Sequence, residues 1–538
     1  MRISTVFFSL FLFFISNVFG TFPVAHQGRF HPSDVYIKQT LYDLYHGRKI
    51  SAFSADKLIW NLHFNGPYVQ KFPFLYIHSA QLKEVLGLPV KASHFTFEQV
   101  DKAILKNPDF KKLLNGKKTA AEAESLIEKM RFLKQQSFPD DPSLPVQERL
   151  RKAGEDFKAL PYQAKPGEWV SLKALQLDIP NFTPYSDLLY QQLKEAYRQQ
   201  DTKQLSSLLE EGYKQIAGVA FLKLKGKSLT YPTTLQLNAE SLLYRYPWLL
   251  ICTALYFLSF ICGILFKKPV YLIFAFGAFA LHTLILAIRC FVLERPPVSN
   301  MFETVIYVPW VAMTGGMILQ AISRDRKLIL SASLVNVLLL LLLEATQLNN
   351  RLDNVQAVLD SQYWLLIHVL MVVGSYGMFA LAGVLGHLYL INRIVAGKET
   401  EKTRMQGRQV LQAIYLGTSL LIPGTILGGV WAAESWGRFW DWDPKESWAF
   451  ISSCVYLIWI HAYRFNHIRY DGLAAGSIIG LMAISFTWYG VNYILGTGLH
   501  SYGFGSGGEG YYYLYLACEA IFLSIALSLI KSKRYSFR

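Results

Sequence analysis

Five tryptophans fall within residues 431–448, WAAESWGRFWDWDPKESW: Trp431, Trp436, Trp440, Trp442 and Trp448. Between them stand Arg438, Asp441, Asp443, Lys445 and Glu446. An aromatic belt at a membrane surface accounts for one or two tryptophans per helix end. It does not account for five interleaved with charge. A large, flat, apolar ligand that carries acid groups needs this mixture: indole faces to stack on and cations for the carboxylates. Histidines are the other chemistry-bearing residues. His368 and His500 fall near the same side of the chain's apolar half as the tryptophan stretch, and His461 falls at the opposite end of its segment. The five cysteines (Cys252, Cys262, Cys290, Cys454 and Cys518) all lie in or beside apolar segments. No CxxC, zinc spacing or disulfide framework is present, and there is no CxxCH.

The elements that must position these residues are membrane spans. Apolar residues make up 52% of the 538 and charged residues only 17%, against about 25% charged in a soluble chain. Apolar stretches long enough to cross a hydrocarbon core of about 30 Å recur after residue 242. They read as nine helices: 243–266, 269–290, 303–322, 328–345, 363–392, 409–430, 447–463, 472–491 and 512–531. With residue 242 outside, the inner loops hold sixteen Lys and Arg. The outer loops hold four: Arg295, Arg351, Arg438 and Lys445. That asymmetry is the positive-inside pattern. It absorbs most of the net charge of +15 and leaves no case for a nucleic-acid partner. The same topology sets His368 about 9 Å below the outer end of its span at 1.5 Å per residue. His500 falls in the following outer loop, and the C-terminus is cytoplasmic.

Before the spans, residues 1–20 carry a basic start, an apolar run and a small-residue end, the pattern of a signal peptide; an uncleaved anchor is the rival reading. Both place residues 21–242 outside the cytoplasm. This region reads as a mostly helical extracytoplasmic domain with weak strand signals. Helices are expected over 119–136, after the Thr183-Pro184 start, and after Asp201 as a cap. Its histidines (His26, His31, His46, His63, His78 and His94) are scattered and read as packing or surface residues.

WGRFWDWDPKESW closely resembles the tryptophan-rich WWD signature of the heme-handling proteins of cytochrome c biogenesis. Within these, residues 243–538 resemble the CcsA/ResC type, a subunit of the System II cytochrome c synthase. PPVSNMFETV (296–305) is similar to an outer loop of that family. HVLMVVGSYGMF (368–379) and NYILGTGLHSYGF (492–504) are similar to the segments that carry its two external histidines. The resemblance implies an all-α polytopic membrane protein of the bacterial inner membrane. It implies that heme b is held by Trp436, Trp440, Trp442, Trp448, Asp443 and Arg438, with His368 and His500 as axial iron ligands. It further implies that His461 serves a heme site nearer the cytoplasm, whose second imidazole comes from a CcsB/ResB-like partner. His387 and His282 could substitute there but match no family position. The implied function is presentation of heme at the outer face and its thioether attachment to the CxxCH motif of apocytochrome c. A non-catalytic heme transporter of the same signature family and a quinone-reactive membrane subunit are the alternatives.

Overall fold

The computed structural model describes residues 23–536 except 27–28, 47–70, 115–116, 137–141, 154–157, 162–168, 172–173, 175–176, 178–186, 200, 202–203, 206, 210, 212–231, 267, 347, 349, 353–361, 497 and 499–508. The signal-like segment 1–20, Thr183-Pro184, His63 and His500 lie outside the described residues. Backbone packing divides the chain into two units, Met1–Tyr246 and Pro247–Arg538.

The first unit is mostly helical, as expected, and adds two small sheets. Strands β1 (Pro23–His26), β2 (Arg29–Pro32), β5 (Lys158–Pro161) and β6 (Trp169–Ser171) form an antiparallel sheet in the order β2-β1-β5-β6. Strands β3 (Leu75–Tyr76) and β4 (His94–Phe95) pair separately. Each strand is two to four residues long, too short for an alternating apolar pattern to register in the sequence. Helices α1 (Ser33–Tyr45), α2 (Ala80–Val85), α3 (Phe97–Lys106), α4 (Lys117–Gln136), α5 (Val146–Lys152), α6 (Asp187–Arg198) and α7 (Thr234–Arg245) complete the unit. Helices α3 and α7 begin at reciprocal capping boxes, Thr96 with Gln99 and Thr233 with Gln236. Asp201 caps the turn after α6, its Oδ1 accepting from the Gln204 amide at 3.0 Å. A core including Val24, Tyr36, Leu41, Phe74, Phe95 and Leu126 binds these elements. One charged cluster is buried beside it: Glu240 on α7 accepts from Arg29 and meets His31 Nδ1 at 3.1 Å, both on β2.

The second unit is all helix among the described residues: α8 (Trp248–Leu265), α9 (Val270–Leu293), α10 (Met301–Ser323), α11 (Lys327–Thr346), α12 (Leu370–Ala396), α13 (Glu401–Trp436), α14 (Pro444–Arg464), α15 (Tyr470–Ser485) and α16 (Glu509–Ser536). A π-helical turn, Leu365–Val369, leads into α12, and a π-helical stretch, Phe486–Leu495, continues α15. Eight of these helices are long and apolar enough to cross a membrane, and the protein is a multi-pass membrane protein. The exception is α14, read in the sequence as the span 447–463. Its first turn holds Lys445 and Glu446 and its last turn His461 and Arg464, which dilute its apolar character. It nevertheless runs the length of its neighbours. Its first residues sit against Gly498, beyond the π stretch; its last join Glu399, Arg404 and Tyr470 around a groove at the other end. Helix α13 has 36 residues, about 54 Å at 1.5 Å per residue, so it outreaches a hydrocarbon core. Trp431 and Trp436 therefore ride on its last turns, and the true loop is only 437–443.

Candidate functional site

At the end of the second unit where α13 stops, a cleft opens between four segments. Its wall takes Val298, Met301 and Thr304 from the start of α10, and His368, Val372 and Tyr376 from the π turn and α12. Gly428, Trp431 and Trp436 come from α13, followed by Trp440, Lys445 and Glu446. The π stretch after α15 closes it with Thr487, Trp488 and Asn492. All four sequence stretches singled out for their motifs thus meet at one place. Both π-helical segments contribute wall residues. An extra residue per turn re-aims side chains relative to a plain α-helix, and such segments gather at functional sites.

His368 is the most tightly specified of these side chains. Its Nδ1 donates to the Gly424 carbonyl at 2.7 Å, which fixes the tautomer and leaves the lone pair on Nε2. That second interaction is the one that usually orients a metal-ligating imidazole. The ring lies edge-on to Trp431, centroids 5.8 Å apart. Gly424 and Gly428, one turn apart on α13, permit the approach. A Cβ on Gly428 would lie 2.5 Å from His368 Cε1, and one on Gly424 would lie 2.9 Å from Val372. The glycine pair stands in the sequence at helical spacing, but nothing local in it marks the imidazole it accommodates.

The tryptophans divide. Trp436 and Trp440 line the cleft with Trp431 and Trp488. Trp488 is anchored by its indole N–H donating to Thr304 at 3.0 Å. Trp442 is 71% exposed, at a left-handed φ of 56°, with its ring edge-on to Trp440 at 6.1 Å. Trp448 turns away from the cleft and packs on Phe486 at 4.1 Å. Arg438 is also outside the wall, paired with Asp441 at 2.8 Å. Asp443 is the N-cap of α14. Its Oδ1 accepts from the Lys445 amide at 2.9 Å, while Glu446 accepts from the Asp443 amide. Gly498 lies beside Asp443, its φ of +119° is open to glycine, and a Cβ there would collide with the Asp443 carboxylate. Gly498, two residues before His500, thus lies close against the start of α14.

The remaining histidines are placed apart. His461 is exposed on α14, toward the end opposite the cleft, with Nδ1 donating to the Leu457 carbonyl at 2.7 Å. His387 donates from Nδ1 to the Gly383 carbonyl at 2.8 Å, and its Nε2 meets Glu519 on α16 at 2.9 Å. His282 is fully buried, with Nε2 donating to the Ile306 carbonyl at 2.8 Å and Nδ1 facing the Tyr256 hydroxyl at 3.4 Å. Both nitrogens of His387 and of His282 are thereby engaged within the bundle. In the first unit, among the described residues, no group of three or more His, Cys, Asp or Glu could hold a metal ion.

Behind the cleft, Glu303 of α10 is fully buried between Arg289 at 3.2 Å and Arg295 at 3.1 Å. It also accepts from the Ser299 amide and hydroxyl. This cluster pins residues 295–301, one wall of the cleft, to α9.

Residues 298–500 match the family model of cytochrome C assembly proteins. Among characterised proteins, the chain is 29% identical over 524 residues to the protein NrfI of Wolinella succinogenes, covering 91% of this chain and 54% of NrfI. It therefore spans about half the length of that relative. The 91% share is more than the second unit alone supplies, so the likeness reaches into the first. The cytochrome c biogenesis protein CcsA of Guillardia theta is 29% identical over 281 residues, covering 46% of this chain and 91% of that protein. The protein of the same name from Solanum lycopersicum is 45% identical over 92 residues, 17% of this chain and 29% of that one.

Proposed function

We propose that this chain, whose membrane half is of the CcsA type of cytochrome c biogenesis protein, holds heme in the cleft below the tryptophan loop and presents it for covalent attachment to apocytochrome c. The observation that carries the reading is His368: an imidazole with its tautomer fixed by Gly424, standing in the wall of a cleft lined by four indoles. Heme is the cargo. His368 supplies one axial ligand to its iron and His500, two residues beyond Gly498 in the sequence, the other. Trp431, Trp436, Trp440 and Trp488 offer faces and edges to the macrocycle. The enclosed part of the cleft is about 150 Å³, below the roughly 300–1,000 Å³ of a closed ligand pocket. A macrocycle seated there keeps an edge in the open mouth, which is what attachment at its vinyl groups requires.

The apocytochrome CxxCH segment docks at that mouth from the extracytoplasmic side. Each thiol S–H adds across one vinyl C=C, the sulfur bonding to one carbon and the hydrogen to the other, so the two thioethers form without net oxidation. The segment's histidine replaces one axial imidazole and allows release. The cysteines of this chain lie at 252, 262, 290, 454 and 518, none among the cleft-lining residues, so no internal thiol of the wall competes. His461, exposed at the opposite end of α14, serves an inner heme site completed by a histidine of a CcsB/ResB-like membrane partner. The membrane is the bacterial inner membrane, with the tryptophan loop outside and the C-terminus in the cytoplasm.

The test is the absorption spectrum of the purified full chain, alone and with that partner. A bis-imidazole heme spectrum is expected. His368→Ala should lose it together with cytochrome c maturation, and added imidazole should restore part of both. A wild-type protein that carries no heme under either condition, or a His368→Ala variant that matures cytochromes normally, sinks the reading.

A further inference from the structure

The cleft holds two hydrogen-bond donors that the protein itself leaves under-used. Lys445 stands in its wall, and among the described residues its ammonium donates to one partner, the Asn492 side-chain carbonyl at 2.8 Å. An ammonium carries three donors. The acids of its own turn make their hydrogen bonds to backbone amides, and Asp443 acts on the ammonium only through space. Asp443 spends Oδ1 on the Lys445 backbone amide, and Glu446 spends Oε2 on the amides of Asp441 and Asp443. Among the described residues no carboxylate lies within ion-pair distance of the Lys445 ammonium. The second donor is the indole N–H of Trp440 in the same wall, which is buried and has no hydrogen-bond partner among the described residues. A half-buried ammonium whose hydrogen-bond partner is neutral and a buried N–H with none both cost free energy that an anionic acceptor would offset. The cation expected from the sequence for this task, Arg438, is already paired with Asp441 and does not line the cleft.

We propose that Lys445 and the Trp440 indole N–H form a carboxylate subsite that receives an acid group of the cleft's ligand. This rests on the heme reading, for heme bears two propionates on one edge. A carboxylate is an acceptor only and satisfies both donors at once. Seating the acid edge at Lys445 fixes the macrocycle's rotation in its plane, and so decides which edge faces the mouth. Lys445 is then a specificity-determining residue rather than a source of affinity for the ring as such.

The experiment titrates the full chain in lipid nanodiscs with hemin and with hemin dimethyl ester, which keeps the ring and the iron but loses both acids. Partition into empty nanodiscs is subtracted. Wild type should bind hemin roughly 10- to 100-fold tighter than the ester, the range of hydrogen bonds to a charged group. Lys445→Gln should weaken hemin to the level of the ester and leave the ester unchanged. Lys445→Arg should keep most of the preference. Trp440→Phe, which retains a ring but removes the N–H, should remove part of it. Equal binding of acid and ester by wild type overturns the subsite alone. So does a Lys445→Gln variant that weakens both ligands equally, because that is the behaviour of a merely structural side chain. Failure of wild type to bind either porphyrin overturns the heme reading, and the subsite with it.

Discussion

Two residues without functional groups decide whether the imidazole of His368 can stand where it does. Gly428 leaves room for the ring, since a Cβ there would lie 2.5 Å from Cε1; Gly424 offers the carbonyl that takes the Nδ1 proton. Overpacking of this kind costs about 1–3 kcal/mol and is relieved by displacing the softer neighbour. Here that neighbour is the ligand side chain. Gly428→Ala is therefore expected to lower bound heme severalfold although it removes no chemical group. Imidazole should not rescue it, because the displaced ring still fills the space that rescue needs. Circular dichroism should report unchanged helix content. Full heme retention in Gly428→Ala would show that the ring position is not what holds the iron. The glycine pair was legible in GTILGG; its meaning was not, because the other half of the contact lies 56 residues away.

At the scale of elements, α16 is held to the bundle partly by polar contacts, among them the pairing of His387 with Glu519. Nδ1 of His387 is committed as a donor to Gly383, so one proton serves both Nε2 and the Glu519 carboxyl opposite it. Removing either partner leaves the other unsatisfied in a medium that cannot hydrate it. His387→Ala and Glu519→Ala should each cost about 1–2 kcal/mol, and the double variant hardly more than either single one. The measurement is a double-mutant cycle on denaturant unfolding of the full chain in detergent. Strict additivity would mean the contact carries no energy. Neither variant should alter heme per folded protein, since no residue of α16 lines the cleft. The π segments are the other element-scale feature. Hydrophobic periodicity over 363–392 and 472–491 is blind to one added residue per turn, so the sequence placed His368 in a span without revealing the turn that aims it.

At the scale of the molecule, the first unit carries its own titratable centre. Burial lowers the imidazole of His31 below its usual 6.5, although Glu240 works against that shift. Burial also raises the Glu240 carboxyl, but the Arg29 guanidinium and His31 outweigh it and hold the group below its usual 4.5. A lowered histidine means the unfolded chain binds the proton first. Its contribution to stability is complete above about pH 6.5 and is lost as pH falls. The depressed carboxyl acts in the same direction, with its contribution lost below about pH 4.5. The first unit should therefore lose stability on acidification from about pH 6.5. Calorimetry of the full chain should show its transition moving to lower temperature between pH 7.5 and 5.5, with a flatter dependence in His31→Gln. An identical slope in the variant would assign the effect to other groups. His31 had read as an ordinary packing histidine. Its partner Glu240 lies 209 residues away, and nothing local in RFHP announced it.

What the sequence determined by itself is what lives in one dimension. Run length and apolar content marked the crossings, and basic residues counted loop by loop proposed their orientation. The local density of tryptophan, charge and proline marked residues 431–448 and the start of α14 at Asp443-Pro444. Tertiary structure decided everything that depends on which faces meet. It put Trp448 and Arg438 outside the cleft and brought Lys445 and Trp488 into it. It committed Asp443 to capping α14, and tied off both nitrogens of His387 and of His282. It also gave the first unit two small sheets whose strands are too short to show a period. The physical reason is common to all of these. Hydrophobicity and charge act additively along a chain and can be summed from composition. The direction of a side chain on a helix is fixed only when another helix packs against it.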